Sequence, residues 1–496
     1  MSSTLRPRPS IRAAVLAFSL AAAGLTGCAV GPDFTPPTPS APSDWTAWRS
    51  GDDSLHLPVE AQAALSPQWW LAFNDPVLDE LQRRGAAASP DLETAALRFA
   101  QARLQRKAAT ADALPQVDAS GQVSRQRQSE YGAGTRVADA IATGDRDALV
   151  GVLAEPFTLY QTGLDLSWEL GLWGRVRRSL EAADADVAQQ AALLDAARLA
   201  LAGDLAQAYF QMRSVQRQIA IARADIALLE EETRLVSAQA QGGLSSHLPL
   251  ERQRAELQRI QAQLPALMAQ EAARASEIAL LVGERPGALN DLLKPTGTTD
   301  TAALPTLALG LPSEVALRRP DVRAAEARLH RATASIGVAR ADLYPSIRLG
   351  AGFGFESYRE ENLFDWASRT TSFGPTVSLP LFDGGRRARV VQLRELEQKE
   401  AAVDYQKTVL QAWKEIDDAL NAYAAEREQN ERLAGRLASS QAAHALARAR
   451  YEGGLSAYLD VIDAQRVLFQ AERDKAESDG RLAVRFVATN RALGNG

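Results

Sequence analysis

Two periodicities take turns along this chain, and each occurs twice. Ile347, Leu349, Ala351, Phe353 and Phe355 are apolar, with Ser346, Arg348, Gly350, Gly352 and Gly354 between them, and Val377, Leu379 and Leu381 resume the alternation after a loop expected over 357–372. Earlier in the chain Val117, Ala119, Gly121 and Val123, then Leu164, Leu166, Trp168 and Leu170, follow the same rule. A period of two gives a strand one apolar and one wet face, so 115–170 and 345–382 each read as a β-hairpin. The alternating glycines are not a phosphate loop, because no strand-to-helix turn follows them. After each hairpin the period lengthens. Neither 175–241 nor 386–452 contains proline, and each has one glycine, Gly203 and Gly435. Apolar residues recur there at intervals of three and four, as in Leu193, Leu194, Ala197, Leu201, Leu205, Ala208 and in Val409, Trp413, Ile416, Leu420, Tyr423. At 1.5 Å per residue each run makes a rod of about 100 Å, too long for a compact core, and neighbouring helices must cover its stripe.

The two halves are tandem copies. Pro90-Asp91 and Leu114-Pro115 bound a helical run that returns at Pro320-Asp321 and Tyr344-Pro345, about 230 residues on; WGRVRR at Trp173 and GGLSS at Gly242 return as GGRRAR at Gly384 and GGLSA at Gly453, about 211 residues on. Spacing held over such distances marks a structural duplication whose unit is far longer than a solenoid repeat. A four-stranded sheet on a soluble core would satisfy the strand pattern alone. Beside two such rods and an export signal, a transmembrane barrel satisfies it better. Four strands cannot close a barrel and lipid tolerates no open edge, so the chain must oligomerise, and two, three or four copies would give 8, 12 or 16 strands.

Arg6, Arg8 and Arg12 precede the apolar run 13–25 and then Thr26-Gly27-Cys28, so 1–27 reads as an export signal too short to span a bilayer. Cys28 is the only cysteine, which excludes a disulfide framework. LTGC resembles the lipobox of bacterial lipoproteins, which implies a covalent lipid on Cys28, and Ala29 after it points to the outer membrane. The proline-rich 28–44 reads as an extended tether. No apolar run reaches 18 residues, and the net charge of −6 with dispersed Lys and Arg argues against nucleic acid as a partner. His56, His247, His330 and His444 are scattered without metal-ligand neighbours, and no nucleophilic triad or nucleotide loop is present, so neither cofactor, metal nor enzymatic activity is expected.

CAVGPDFTPP from Cys28, WWLAFNDPVLDEL from Trp69, RRPDVRAAEARL from Arg318, PLFDGGRRAR from Pro380 and YEGGLSAYLDVIDAQR from Tyr451 resemble, in order, motifs of the TolC-like outer-membrane efflux proteins. They are most similar to the lipoprotein branch that serves resistance-nodulation-division pumps. The resemblance covers the chain after the signal. It implies a mixed α and β membrane protein, a homotrimer whose 12-stranded barrel in the outer membrane continues as a tunnel of long antiparallel helices across the periplasm. It also implies a passive exit duct for drugs or other small toxic compounds, with a periplasmic adaptor and an inner-membrane pump as partners. An equatorial segment at 45–85 would precede a first repeat at 86–312, with helix 246–282 and equatorial segment 284–311, and a second at 313–496, with helix 457–490. Alternatives are a type I protein-secretion duct and a bracing periplasmic lipoprotein without a channel.

Each rod ends on Gly-Gly-Leu-Ser, at Gly242-Gly243 and Gly453-Gly454, expected to cap one helix and start the next. By the resemblance these turns form a periplasmic tip, and Tyr451, Leu459, Asp460, Asp463 and Arg466 match its gate. Leu459, Asp460, Asp463 and Arg466 share a helix face, and symmetry would turn each into a ring, with leucine narrowing the passage and carboxylates selecting cations. Solvated face charges are the plain alternative. The first repeat departs from the motif with Pro249 where Asp460 stands, and Gly171 occupies a place that is usually acidic. The segment 131–155 reads as an extracellular loop, part helical.

Overall fold

The computed structural model describes residues 29–38, 49–55, 67–137, 145–243, 246–295, 305, 307, 315 and 318–495. The export signal, Cys28 and His56 lie outside them, as do 39–44 of the expected tether and much of 296–314. In chain order the elements are α1 (Pro76–Ala88), α2 (Pro90–Ala111), β1 (Gln116–Gln126), α3 (Arg146–Leu153), β2 (Phe157–Glu169), α4 (Arg175–Gln241) and α5 (His247–Leu281). The second series is α6 (Pro320–Ala341), β3 (Ser346–Ser357), β4 (Arg369–Ser378), α7 (Arg386–Glu452) and α8 (Tyr458–Ala492).

The duplication survives in the element lengths. α2 and α6 have 22 residues each, α4 and α7 have 67, and α5 and α8 have 35. Thirty residues (127–156) join β1 to β2 and eleven (358–368) join β3 to β4. That difference of nineteen accounts for the fall in repeat offset from 230 to 211. The longer connection carries α3, capped by Asp145, whose carboxylate accepts from the Ala148 N–H at 3.3 Å.

The chain forms two compact units. The first comprises the described part of 1–35 with 102–186 and 329–400. Its centre is a four-stranded antiparallel sheet in the order β1-β2-β3-β4. β4 starts at Arg369, three residues before the expected loop ends, because Arg369, Thr370 and Thr371 still pair with Phe355, Gly354 and Phe353. Leu379 and Leu381, expected in that strand, lie beyond its end. The segment after Cys28 is extended, as its prolines require, but it is not a loose tether at its start. Val30 N–H donates to the Trp173 carbonyl at 3.2 Å, Asp33 pairs with the buried Arg178 at 2.6 Å, and Phe34 stacks on His330 at 4.2 Å.

The second unit comprises 36–101, 187–328 and 401–496. One core gathers Leu78 and Leu81 of α1, Leu205, Tyr209 and Met212 of α4, Ile278 of α5 and Phe486 of α8 around Trp69 and Phe73. The aromatic rings meet edge to face, Phe73 on Phe486 at 5.3 Å. A second core joins Val322 of α6 to Tyr405, Val409, Trp413, Ile416 and Leu420 of α7. Leu205 and Ile416, matching positions of the two repeats, both have no exposed surface. Burying each contributes about 1.5–3 kcal/mol. Leu193, expected on the same stripe as Leu205, is exposed, and Ala192 takes the inward position instead. Ahead of α6, the Arg319 guanidinium is buried among Asp321 (2.7 Å), Glu415 (2.5 Å) and the Ala492 carbonyl (2.8 Å), which ties the RRPD motif to the end of α8.

Candidate channel wall and periplasmic tip

The register puts the two sides of the sheet in sharp contrast. In one row Val117 faces Leu166, Leu166 faces Ala351 and Ala351 faces Phe373; in the next such row Ala119, Leu164, Phe353 and Thr371 align. All four strands therefore share one apolar face. Most of it is open among the described residues, with Phe373 82% and Val123 67% exposed, and Phe364 of the β3–β4 connection packs on it at Phe355 (6.0 Å). Asp118, Asp165, Gly352 and Ser372 form a row on the opposite face, and Gln122, Gln161 and Glu356 lie there too. Two carboxylates directly opposite each other repel, which a dry sheet would not tolerate and a wet one does. Glycine at 354 keeps this face low, since a Cβ there would stand 2.5 Å from the Thr162 carbonyl oxygen. Among the described residues, β1 and β4 are both unpaired on their outer side. An apolar face, a wet face and two open edges are what one sector of a membrane barrel must present.

In the second unit, the turn after α7 is a Schellman cap. Leu455 N–H donates to the Arg450 carbonyl at 2.8 Å and Gly454 N–H to Tyr451 at 2.9 Å, with Gly454 in the left-handed region at φ +70°. Gly453 N–H closes the last helical turn on Ala449. In the first repeat Gly242 and Gly243 bond to Ala238 and Ala240, and Gly243 has φ +72°. The cap expected at the next helix is absent. The residues before α8 and α5 are Ala457 and Ser246, and neither side chain bonds a helix N–H. In the second repeat the serine falls one position early, and the buried Ser456 hydroxyl has no partner.

The gate residues divide between two environments. Asp460, Asp463 and Arg466 are exposed on one face of α8, with Leu459 half-buried beside them, while Val461, Ile462, Gln465 and Phe469 turn inward. Asp463 and Arg466 form an ion pair at 3.8 Å, too long for a hydrogen bond. Tyr451 is half-buried against the other helices. Its hydroxyl lies 3.4 Å from the Gln239 amide on α4, and its ring packs on Tyr458 at 5.0 Å. Tyr458 in turn covers Val236, Ala240 and Leu250, so both repeats meet in one small apolar cluster. Burial, with Glu232 nearby, pushes the Tyr458 hydroxyl up, and burial lowers His444 below the ordinary imidazole range.

The tip motif in the sequence does not single out Tyr458, Gln239 or Glu232. Tyr458, seven residues after Tyr451, could have been found by its spacing, but its contacts on α4 have no local signal. At the first-repeat positions matching Leu459, Asp460 and Asp463 stand Leu248, Pro249 and Arg252; Leu248 and Arg252 are exposed and Pro249 is half-buried.

A model of the family described as "Outer membrane efflux protein" matches residues 83–284 and 311–495. The chain is 34% identical over 465 residues to the pyoverdine export outer membrane protein OpmQ of Pseudomonas putida, covering 93% of this chain and 94% of that one. It is 31% identical over 452 residues to the toluene efflux pump outer membrane protein TtgF, also of Pseudomonas putida, covering 90% of each. The solved outer-membrane channel OprN superposes with a TM-score of 0.82 at 30% identity, over 95% of this chain and 99% of that one.

Proposed function

Because the chain belongs to the outer membrane efflux protein family, we propose that three copies close their sheets into a 12-stranded barrel and form the exit duct of a tripartite pump. The protein is an outer-membrane efflux channel that extends into the periplasm, a passive conduit and not an enzyme. A periplasmic adaptor and an inner-membrane resistance-nodulation-division pump supply selection and energy, and Cys28 carries a lipid that adds an anchor to the barrel.

The carrying observation is the largely uncovered apolar face between two open strand edges. Three copies pair β4 of one with β1 of the next, turn the apolar face to lipid and leave the Asp118 and Asp165 row on the lumen. At the tip, three copies bring Leu459, Asp460 and Asp463 into rings; Arg466, which pairs with Asp463 of its own helix at 3.8 Å, can instead reach Asp463 of a neighbouring copy and hold the rings together. Relatives named for pyoverdine and for toluene match this chain about equally, so cargo is set by the pump and not by the duct.

Two measurements test this reading. Purified protein in detergent should be a trimer by mass, and a monomer with a folded sheet would refute the closure. Deleting the gene should raise intracellular accumulation of several unrelated organic compounds in a panel of dyes, antibiotics, bile salts and metal ions. A rise confined to one metal ion would move the duct to a metal pump, and no change would count against small-molecule efflux.

A further inference from the structure

The inward stripe of α4 runs Ala222, Asp225, Leu229, and only the middle residue is charged. Ala222 and Leu229 pack on Ile260 of α5 and Phe469 of α8 with less than 5% of their surface exposed. Asp225, 4% exposed, sits between them. An aspartate in this place costs stability unless it is paired or neutral.

Its surroundings supply more charge than pairing. From α8, Arg473 approaches at 3.5 Å with a side chain only 13% exposed, and Glu472 lies next to it. From α5 come Glu256 and Arg259, which already bond each other at 2.5 Å. Three helices thus bring three carboxylates and two guanidiniums together around the buried Asp225, with Arg259 and Glu472 only half-buried, and one negative charge is left over. Removing it requires one proton. Burial first, and Glu472 second, push the Asp225 carboxyl up to about 7, against the opposing pull of Arg473 and Arg259.

We propose that Asp225 takes up a proton when α4, α5 and α8 pack, so that this part of the helical wall is a proton-linked latch, tightest in acid and looser towards neutral pH. A freely hydrated aspartate gives up its proton near pH 4. Between that value and about 7 the packed form holds one proton more than the parted form, so each unit of rising pH shifts the equilibrium about tenfold towards parting. Above about 7 both forms are ionised and the effect levels off. The latch concerns helices of one chain, so it stands or falls apart from the reading of cargo and partners.

The test uses the full-length protein in detergent. Amide exchange is followed from pH 5 to 8 for peptides over 222–229 and 469–473, with intrinsic rates divided out. Protection should fall about tenfold per unit from pH 5 to about 7 and then level, and Asp225→Asn, which fixes the neutral form, should stay protected throughout. Infrared titration of protein carrying isotope-labelled aspartate reads the group directly. A protonated aspartate band persisting to near pH 7 and missing in Asp225→Asn supports the latch. Flat protection in the unmodified protein, or loss of the band by pH 5, overturns it. If Asp225→Asn does not fold, coincident midpoints of the band and of protection in the unmodified protein decide the matter alone.

Discussion

α4 and α7 have 67 residues, α5 and α8 have 35, and 211 residues separate every matching end, yet the turns between them present different chemistry. The second repeat shows Asp460, Asp463 and Arg466 to solvent; the first shows Arg252, with a half-buried Pro249 where Asp460 stands. Both turns keep a glycine in the left-handed region, and both repeats keep one fully buried aliphatic at the matching place. Backbone geometry and core volume have stayed shared while the exposed face of the tip has diverged. Packing constrains the first two on every copy, whereas an exposed side chain is constrained only by what it meets in the assembly.

The sharpest test of equivalence lies in the core. Leu205→Ala and Ile416→Ala should each destabilise the protein by about 2–5 kcal/mol, read from denaturant or thermal unfolding, and an undisturbed unfolding midpoint for one of them would break the equivalence. On the sheet, Phe373 and Thr162 occupy matching places of the apolar face. Arginine at either should cost about 2–4 kcal/mol per copy at mid-membrane depth and reduce the yield of membrane-inserted trimer, so normal insertion of both variants would count against a lipid-facing wall. At the turns, Gly243→Ala and Gly454→Ala meet open space and should each lose only the strain of a left-handed alanine, about 1–2 kcal/mol, seen as a small fall in Tm. The smallest effects on stability and the largest contrast in function are expected outside the core. Asp463→Ala or Arg466→Ala should raise single-channel conductance in a planar bilayer, while Arg252→Ala should leave it unchanged; equal behaviour of all three would erase the specialisation.

Much of this architecture was legible because periodicity reports which face of an element is buried. Proline-free runs with Leu205 or Ile416 on their stripe could only be long packed helices, and the alternation at 347–355 could only be a strand with one dry face. Periodicity does not report partners. Nothing local says that Tyr458 rests against Val236 or that Tyr451 meets Gln239, because those contacts join residues more than two hundred positions apart. The serine of the second-repeat turn misled for a related reason, since a cap depends on one residue's place in the turn and Ser456 stands one position short. In the sequence Asp225 is one acid among many on a charged helix, and only the approach of α5 and α8 makes it unusual.

The order of strands has a consequence for how the molecule is made. β1 finds β2 across thirty residues, and β3 finds β4 across eleven, but the middle ladder joins Glu169 to Arg348 and must await everything between them. Local hairpins close quickly, whereas a contact of such sequence separation bears a loop-closure cost and forms late. Until it forms, the newly exported chain carries two sticky hairpins with unpaired borders, the kind of surface that clumps. The protein must therefore join its two halves, or be kept from self-association, before it can conduct anything across the membrane.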